Sequence, residues 1–200
     1  LRLRPFASLA TGIYVDQRGT RTWLRERCAG KRVLNLFAYT GLFSVSLLAG
    51  GAERAHDVDL SAPALRRALE TAQRNAVAER YAQTHGDCMT YLRRDRDEWD
   101  ILIVDPPTAA QGADGWASLR DYPALLALAL PRLAPGGLLI ACSNTIGKPI
   151  PLDRIVADAA RAAGLRINAV ELPPLAGDVP QLAGFPEGRP YRITAVQRPG

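Results

Sequence analysis

Strand and helix signals alternate along this chain, and such an order restricts it to a parallel, doubly wound sheet whose ligands meet the carboxyl ends of the strands. Residues 32–37 form a short apolar run that ends in a turn, and residues 41–48 carry helix formers up to Gly50-Gly51. A short strand is predicted at 54–58. Ser61 then caps a helix with Leu65, Ala68, Leu69, Ala72 and Ala76 on one face and Arg66, Arg67, Glu70 and Arg74 on the other. A strand at 83–85 and a small helix at 90–94 precede the run 101–104, whose β-branched character places it buried near the sheet centre. Residues 119–133 predict a helix ended by Pro135-Gly136-Gly137, 138–142 a strand, and 152–163 a helix stopped by Gly164. Two last strands, at 166–172 and 191–197, are separated by an irregular Pro/Gly-rich loop and so predict an antiparallel hairpin on one edge. The expected fold is an α/β domain over 27–200 with a seven-stranded, mostly parallel sheet. A basic β extension over 1–26 precedes it, in which 12–16 alternate like a strand and 17–19 turn.

At 200 residues, 48% of them hydrophobic, the chain can fill the core of one such domain. It begins at Leu1 rather than Met, which predicts a fragment whose upstream part is missing. No apolar run reaches a membrane span and no signal peptide is legible, so a cytoplasmic protein is expected. The formal charge of +5 is concentrated at one end: residues 1–32 hold a net +6, and the remainder is near neutral. A basic segment of this kind points to a polyanion, and Arg2, Arg4, Arg21 and Arg25 are its candidate RNA contacts. Cys28, Cys88 and Cys142 are odd in number and widely spaced, which excludes a disulfide scaffold and a CxxC metal site. His56 and His85 lack ligand spacing, so no metal is expected.

Three loops at predicted strand ends carry the chemistry. The first, Phe37 to Gly41, has one glycine where a dinucleotide site needs three to bring pyrophosphate against the backbone. S-adenosylmethionine has no phosphate and tolerates Tyr39 and Thr40 there. Asp59 follows at about the spacing of a ribose-binding acid, with Asp57 on the same side but farther back. Asp87 can accept from an adenine amino group or cap the helix before Thr90. The sharpest motif is Asp105-Pro106-Pro107-Thr108, in which two fixed φ angles and two missing N–H groups make a rigid acidic loop against which a flat base could be held.

In this order the motifs resemble the catalytic domain of the bacterial 23S ribosomal RNA methyltransferases, S-adenosylmethionine-dependent enzymes of the Rossmann-like class I fold. The resemblance rests on Asp16-Gln17-Arg18, Asn35 to Gly41, Val58-Asp59-Leu60-Ser61 and Asp105-Pro106-Pro107, and covers nearly the whole chain. It implies that Gln17, Arg18, Phe37, Tyr39, Thr40, Gly41, Asp59 and Asp87 hold the cofactor, while Gln17, Arg18 and Arg21 line its entrance or that of the RNA. It also implies an additional RNA-binding domain upstream. Cytosine-C5 members carry a cysteine nucleophile in a Ser-Cys-Ser after the fifth strand. Here the segment is Cys142-Ser143-Asn144, with Asn144 at the nucleophile's place and Cys142 two residues early. Guanine-N7 members share the Asp-Pro-Pro-Thr loop and a Ser-Asn pair, so that chemistry is expected ahead of cytosine C5. Asp105, Pro106, Pro107 and Asn144 would then be catalytic, with Cys142 joining them only for cytosine. The alternatives are methylation of a protein or small molecule, or a silent RNA-binding module.

Overall fold

The computed structural model describes residues 12–108, 116–145, 150–173, 184 and 192–200. The chain runs α1 (Arg18–Arg25), β1 (Arg32–Leu36), α2 (Leu42–Ala49), β2 (Arg54–Asp59), α3 (Ala62–Arg74), β3 (Tyr81–His85) and α4 (Cys88–Arg94). It continues through β4 (Trp99–Val104), α5 (Ser118–Ala129), β5 (Leu133–Ser143), α6 (Leu152–Ala162), β6 (Asn168–Val170) and β7 (Arg192–Gln197). The sheet order is β3-β2-β1-β4-β5-β7-β6. β1 to β5 are mutually parallel, and β7 lies antiparallel between β5 and β6, which is the edge hairpin expected. The strand order reverses between β1 and β4, so the ligand crevice of a doubly wound sheet falls at their carboxyl ends.

Successive side chains of a strand face opposite layers, and each layer has its own core. Leu34, Leu36, Leu102, Val104 and Leu139 pack against α4, α5 and α6, whereas Val33, Ile101, Ile103, Ile140 and Cys142 pack against α1, α2 and α3. β4 is the middle strand of seven, and Ile101 to Val104 are at most 2% exposed, as an apolar run buried on both faces must be.

Two expectations require correction. Residues 12–17 form no strand, and the predicted turn at 17–19 is the start of α1. The alternation there finds no neighbouring strand among the described residues: Tyr14 and Val15 are exposed, and the Gly12 and Tyr14 carbonyls accept from the Thr40 hydroxyl and the Arg21 guanidinium. Thr20 and Leu24 are buried and Leu24 joins the α2-side core, which gives the segment a helical period instead. Likewise α5 stops at Ala129 rather than 133, turning through a 3₁₀ segment that contains Pro131. β5 starts at Leu133, and Pro135-Gly136-Gly137 lie within it, where the pairing with β4 slips between Trp99 and Ile101. Pro131 has no N–H to continue the helix, and Gly136 supplies a positive φ for the irregularity.

Candidate active site

Between β1 and α2 the loop from Phe37 to Gly41 winds tightly, with φ of +58° at Phe37, +51° at Tyr39 and +66° at Gly41. Left-handed backbone costs a non-glycine residue about 1–2 kcal/mol, and such strain persists where surrounding contacts enforce it. Asp59, at the end of β2, is one such contact. Its Oδ2 accepts from the Tyr39 N–H and its Oδ1 from the Ser61 N–H, both at 2.7 Å. Each carboxylate oxygen keeps a further lone pair, so vicinal ribose hydroxyls can still donate to it.

The loops enclose a cleft of about 770 Å³. Gln17, Arg21, Phe37, Tyr39, Thr40 and Asp59 line one part of it, and Asp105, Pro106, Pro107 and Asn144 another. The rigid acidic loop is itself braced. Pro107 O accepts from the Trp116 indole N–H at 2.8 Å and the Ser118 hydroxyl at 2.9 Å, and the Thr108 hydroxyl reaches the Asn144 carbonyl at 2.7 Å and its Oδ1 at 2.9 Å. The Pro107 carbonyl is therefore occupied, and Asp105, Thr108 and Asn144 supply the polar side chains of this wall.

Other singled-out residues lie elsewhere. Asp87 is exposed at the α4 N-terminus and accepts from the Thr90 N–H at 2.7 Å, so it caps the helix. Gly41 sits beneath the loop: a Cβ there would come within 2.4 Å of Asp57 Oδ2 and 2.7 Å of Ala68 Cβ. Arg18 and Arg25 are exposed on α1 outside the lining, and Arg21 is partly buried, reaching the Tyr14 carbonyl at 2.9 Å. Arg2 and Arg4 lie outside the described residues. Cys142 is fully buried in β5, paired with Ile193 of β7, and its sulfur receives the Gln17 amide N–H at 3.6 Å. Sequence reasoning missed Tyr14 and Trp116 in the lining. Tyr14 falls in the alternating stretch 12–16, between Ile13 and Val15, and only its aromatic ring close after Gly12 marks it.

The chain matches the S-adenosylmethionine-dependent methyltransferase family over residues 1–187. It belongs to that family. It is 39% identical over 185 residues to ribosomal RNA large subunit methyltransferase I of Aeromonas hydrophila, a match that takes in 89% of this chain and 46% of the relative. It is 40% identical over 139 residues to ribosomal RNA large subunit methyltransferase K/L of Pseudomonas putida, covering 68% of this chain and 19% of that one. The chain thus spans about half the length of the methyltransferase I relatives. Among solved structures it is similar to a candidate methyltransferase complexed with S-adenosylhomocysteine, at a TM-score of 0.82 and 27% identity over 95% of this chain and 51% of that one. A candidate S-adenosylmethionine-dependent methyltransferase from Streptococcus mutans matches at a TM-score of 0.81 and 27% identity, over 95% of this chain and 50% of its own.

The cleft fits the family's cofactor. Its size lies within the usual range for small-molecule sites, roughly 300–1,000 Å³. Gln17 is 1% exposed, yet its Oε1 has no partner among the described residues, and a buried acceptor left unpaired costs about 1–3 kcal/mol. An occupant that brings a donor removes that cost, and the α-ammonium of S-adenosylmethionine is one. No group of three or more His, Cys, Asp or Glu among the described residues could hold a metal, and no described helix is long and apolar enough to cross a membrane.

Behind the cleft Asp57 is fully buried. Its Oδ1 accepts from the Asn35 amide at 2.9 Å and the Ser44 hydroxyl, and its Oδ2 from the Tyr81 hydroxyl at 2.7 Å. Burial outweighs these bonds and raises its carboxyl from 3.8 to about 6, with the Asp59 charge adding to the rise. A folded-state pKa above the unfolded one means that the native protein holds the proton longer, so stability falls as pH rises from about 4 to about 6. The span corresponds to about 3 kcal/mol. Asp57→Asn should remove that fall, because the Tyr81 hydroxyl can accept from the new amide and donate to Gln83 Oε1, 3.2 Å away. Urea midpoints of parent and variant at pH 4.5, 5.5 and 7 check this, and parallel profiles would contradict it.

Proposed function

We propose that this protein methylates a base of large-subunit ribosomal RNA, at guanine N7 rather than cytosine C5. The names of the relatives support the RNA substrate. The observation that carries the choice of atom is the seat of Cys142, fully buried within β5 against the Gln17 amide, while Asn144 lines the cleft. Cytosine C5 is too weak a nucleophile unless a thiolate first adds to C6, and a thiol enclosed in the sheet has no path to a base. Guanine N7 already has a lone pair, and its attack releases no proton.

The cofactor, when bound, supplies an electrophilic methyl group on a sulfonium. What the chain does is orient and dry the base. Asp59 takes the ribose hydroxyls, Gln17 Oε1 the α-ammonium, and Tyr39 and Thr40 wall the methionine part. Asp105 and Asn144 hold the base edge, with Asn144 kept in place by Thr108. The exposed Arg18 and Arg25, together with Arg2 and Arg4, would meet phosphates, a contribution that weakens with salt.

Cys142→Ser tests the assignment. For guanine N7, turnover on ribosomal RNA from a deletion strain should stay within about tenfold, since no covalent step is lost, whereas Asn144→Ala should cost more. Abolished turnover, together with a Cys142-dependent adduct on 5-fluorocytosine RNA, would establish cytosine chemistry instead. Transfer to a protein or a small molecule, or cofactor binding without transfer, would refute the RNA reading.

A further inference from the structure

Resting on the RNA-base reading, we propose that Tyr14 is the stacking platform for the target base. A flat base needs an aromatic face, and five aromatic rings line the cleft: Tyr14, Phe37, Tyr39, Phe43 and Trp116. Four are engaged. Phe37 and Trp116 pack on each other at 5.1 Å between centroids, and Trp116 is pinned by its N–H to Pro107 and backed by Tyr122 at 6.1 Å. Phe43 is 7% exposed and covered by the Arg21 guanidinium at 5.9 Å. Tyr39 is partly buried and packs against Tyr14 at 5.7 Å.

Tyr14 alone of the five is 50% exposed. It is also well placed. It shares the cleft with Asp105, Pro107 and Asn144. Its backbone is tethered on both sides: Gly12 O accepts from the Thr40 hydroxyl at 2.8 Å, Tyr14 O accepts from Arg21 at 2.9 Å, and Gln17 anchors the far end under Cys142. A half-exposed ring on a fixed backbone has little freedom left to lose on stacking, which is how an exposed aromatic gains affinity for a base. Arg21 accordingly acts as a positioning residue for this segment, in addition to any contact with phosphate.

The test is a series at position 14 in the intact protein: Tyr14→Phe, Tyr14→Trp, Tyr14→Leu and Tyr14→Ala. Methyl transfer to ribosomal RNA from a deletion strain gives KM and kcat, and calorimetry gives S-adenosylhomocysteine affinity. Base stacking on an aromatic is worth about 1–3 kcal/mol, so Tyr14→Leu and Tyr14→Ala should lose about 5- to 150-fold in kcat/KM for RNA. The Phe and Trp variants should stay within about threefold of the parent, and S-adenosylhomocysteine affinity within about twofold throughout. Tyr14→Leu keeps the apolar bulk, so a defect there with native circular dichroism is a loss of the π-face and not of the fold. Weakened cofactor affinity with unchanged RNA kinetics would make Tyr14 a cofactor lid and overturn the proposal, as would indifference of the Leu variant. A parent that methylates no RNA would overturn the RNA reading and this proposal together, whereas an active parent with an indifferent Leu variant overturns this one alone.

Discussion

Replacing Asp59 with alanine should weaken S-adenosylmethionine binding by about 5- to 150-fold, the equivalent of roughly 1–3 kcal/mol for hydrogen bonds left unmade in a buried site. The upper part of that range is expected, because the carboxylate has two tasks. It faces the ribose in the proposed binding mode, and it ties the Tyr39 N–H of one loop to the Ser61 N–H of the next. Alanine abolishes both. Asp59→Asn weakens both without abolishing either: the amide keeps one acceptor but sets its N–H₂ against one of the two backbone donors. Calorimetry on a correctly folded Asp59→Asn should give a loss at least half that of alanine on the logarithmic scale. Unchanged affinity in Asp59→Ala would remove this residue from the site.

The second large effect belongs to Gly41 and is one of stability. Alanine there must hold φ at +66°, at about 1–2 kcal/mol, and places a methyl group against Asp57 Oδ2 and Ala68 Cβ, at roughly 1–3 kcal/mol more for overpacking. Gly30 isolates the second contribution, since its φ is +69° and a Cβ there meets nothing within 4 Å. Denaturant midpoints should put Gly41→Ala about 1–3 kcal/mol below Gly30→Ala. If the two variants are equally stable, the packing of Asp57 beneath the loop does not depend on a missing side chain.

How far these features were legible in the sequence depended on whether their cause was local. The parallel sheet, its central strand at Ile101 to Val104 and the Ser61 cap came through because β-branched runs and capping residues act within a few positions. The capping role of Asp87 was visible as one of two options for the same reason. The segment around Tyr14 was misread because alternation marks a strand only where a neighbour can pair with it, and the neighbours here are the side chains of Thr40 and Arg21. The end of α5 was misplaced because the apolar period runs on through Leu130 and Leu133, although Pro131 diverts the backbone. At the site, Asp59 and the acidic proline loop were legible from spacing. The role of Asn35, Ser44 and Tyr81 around Asp57 was not, since it joins three strands and α2, which the sequence separates.

The seat of Gln17 beneath Cys142 also sets a timetable for synthesis. The two residues are 125 positions apart, so the amide leaves the ribosome long before the sulfur that receives it. The Gln17 end of this segment cannot be anchored until β5 has emerged and joined β4. A nascent chain halted before residue 142 already contains Asp59, Tyr39 and the acidic proline loop, and can tie Gly12 to Thr40 and Tyr14 to Arg21, yet it lacks the anchor for Gln17. The last anchor on this side of the cleft is therefore made in a late, non-local step of folding.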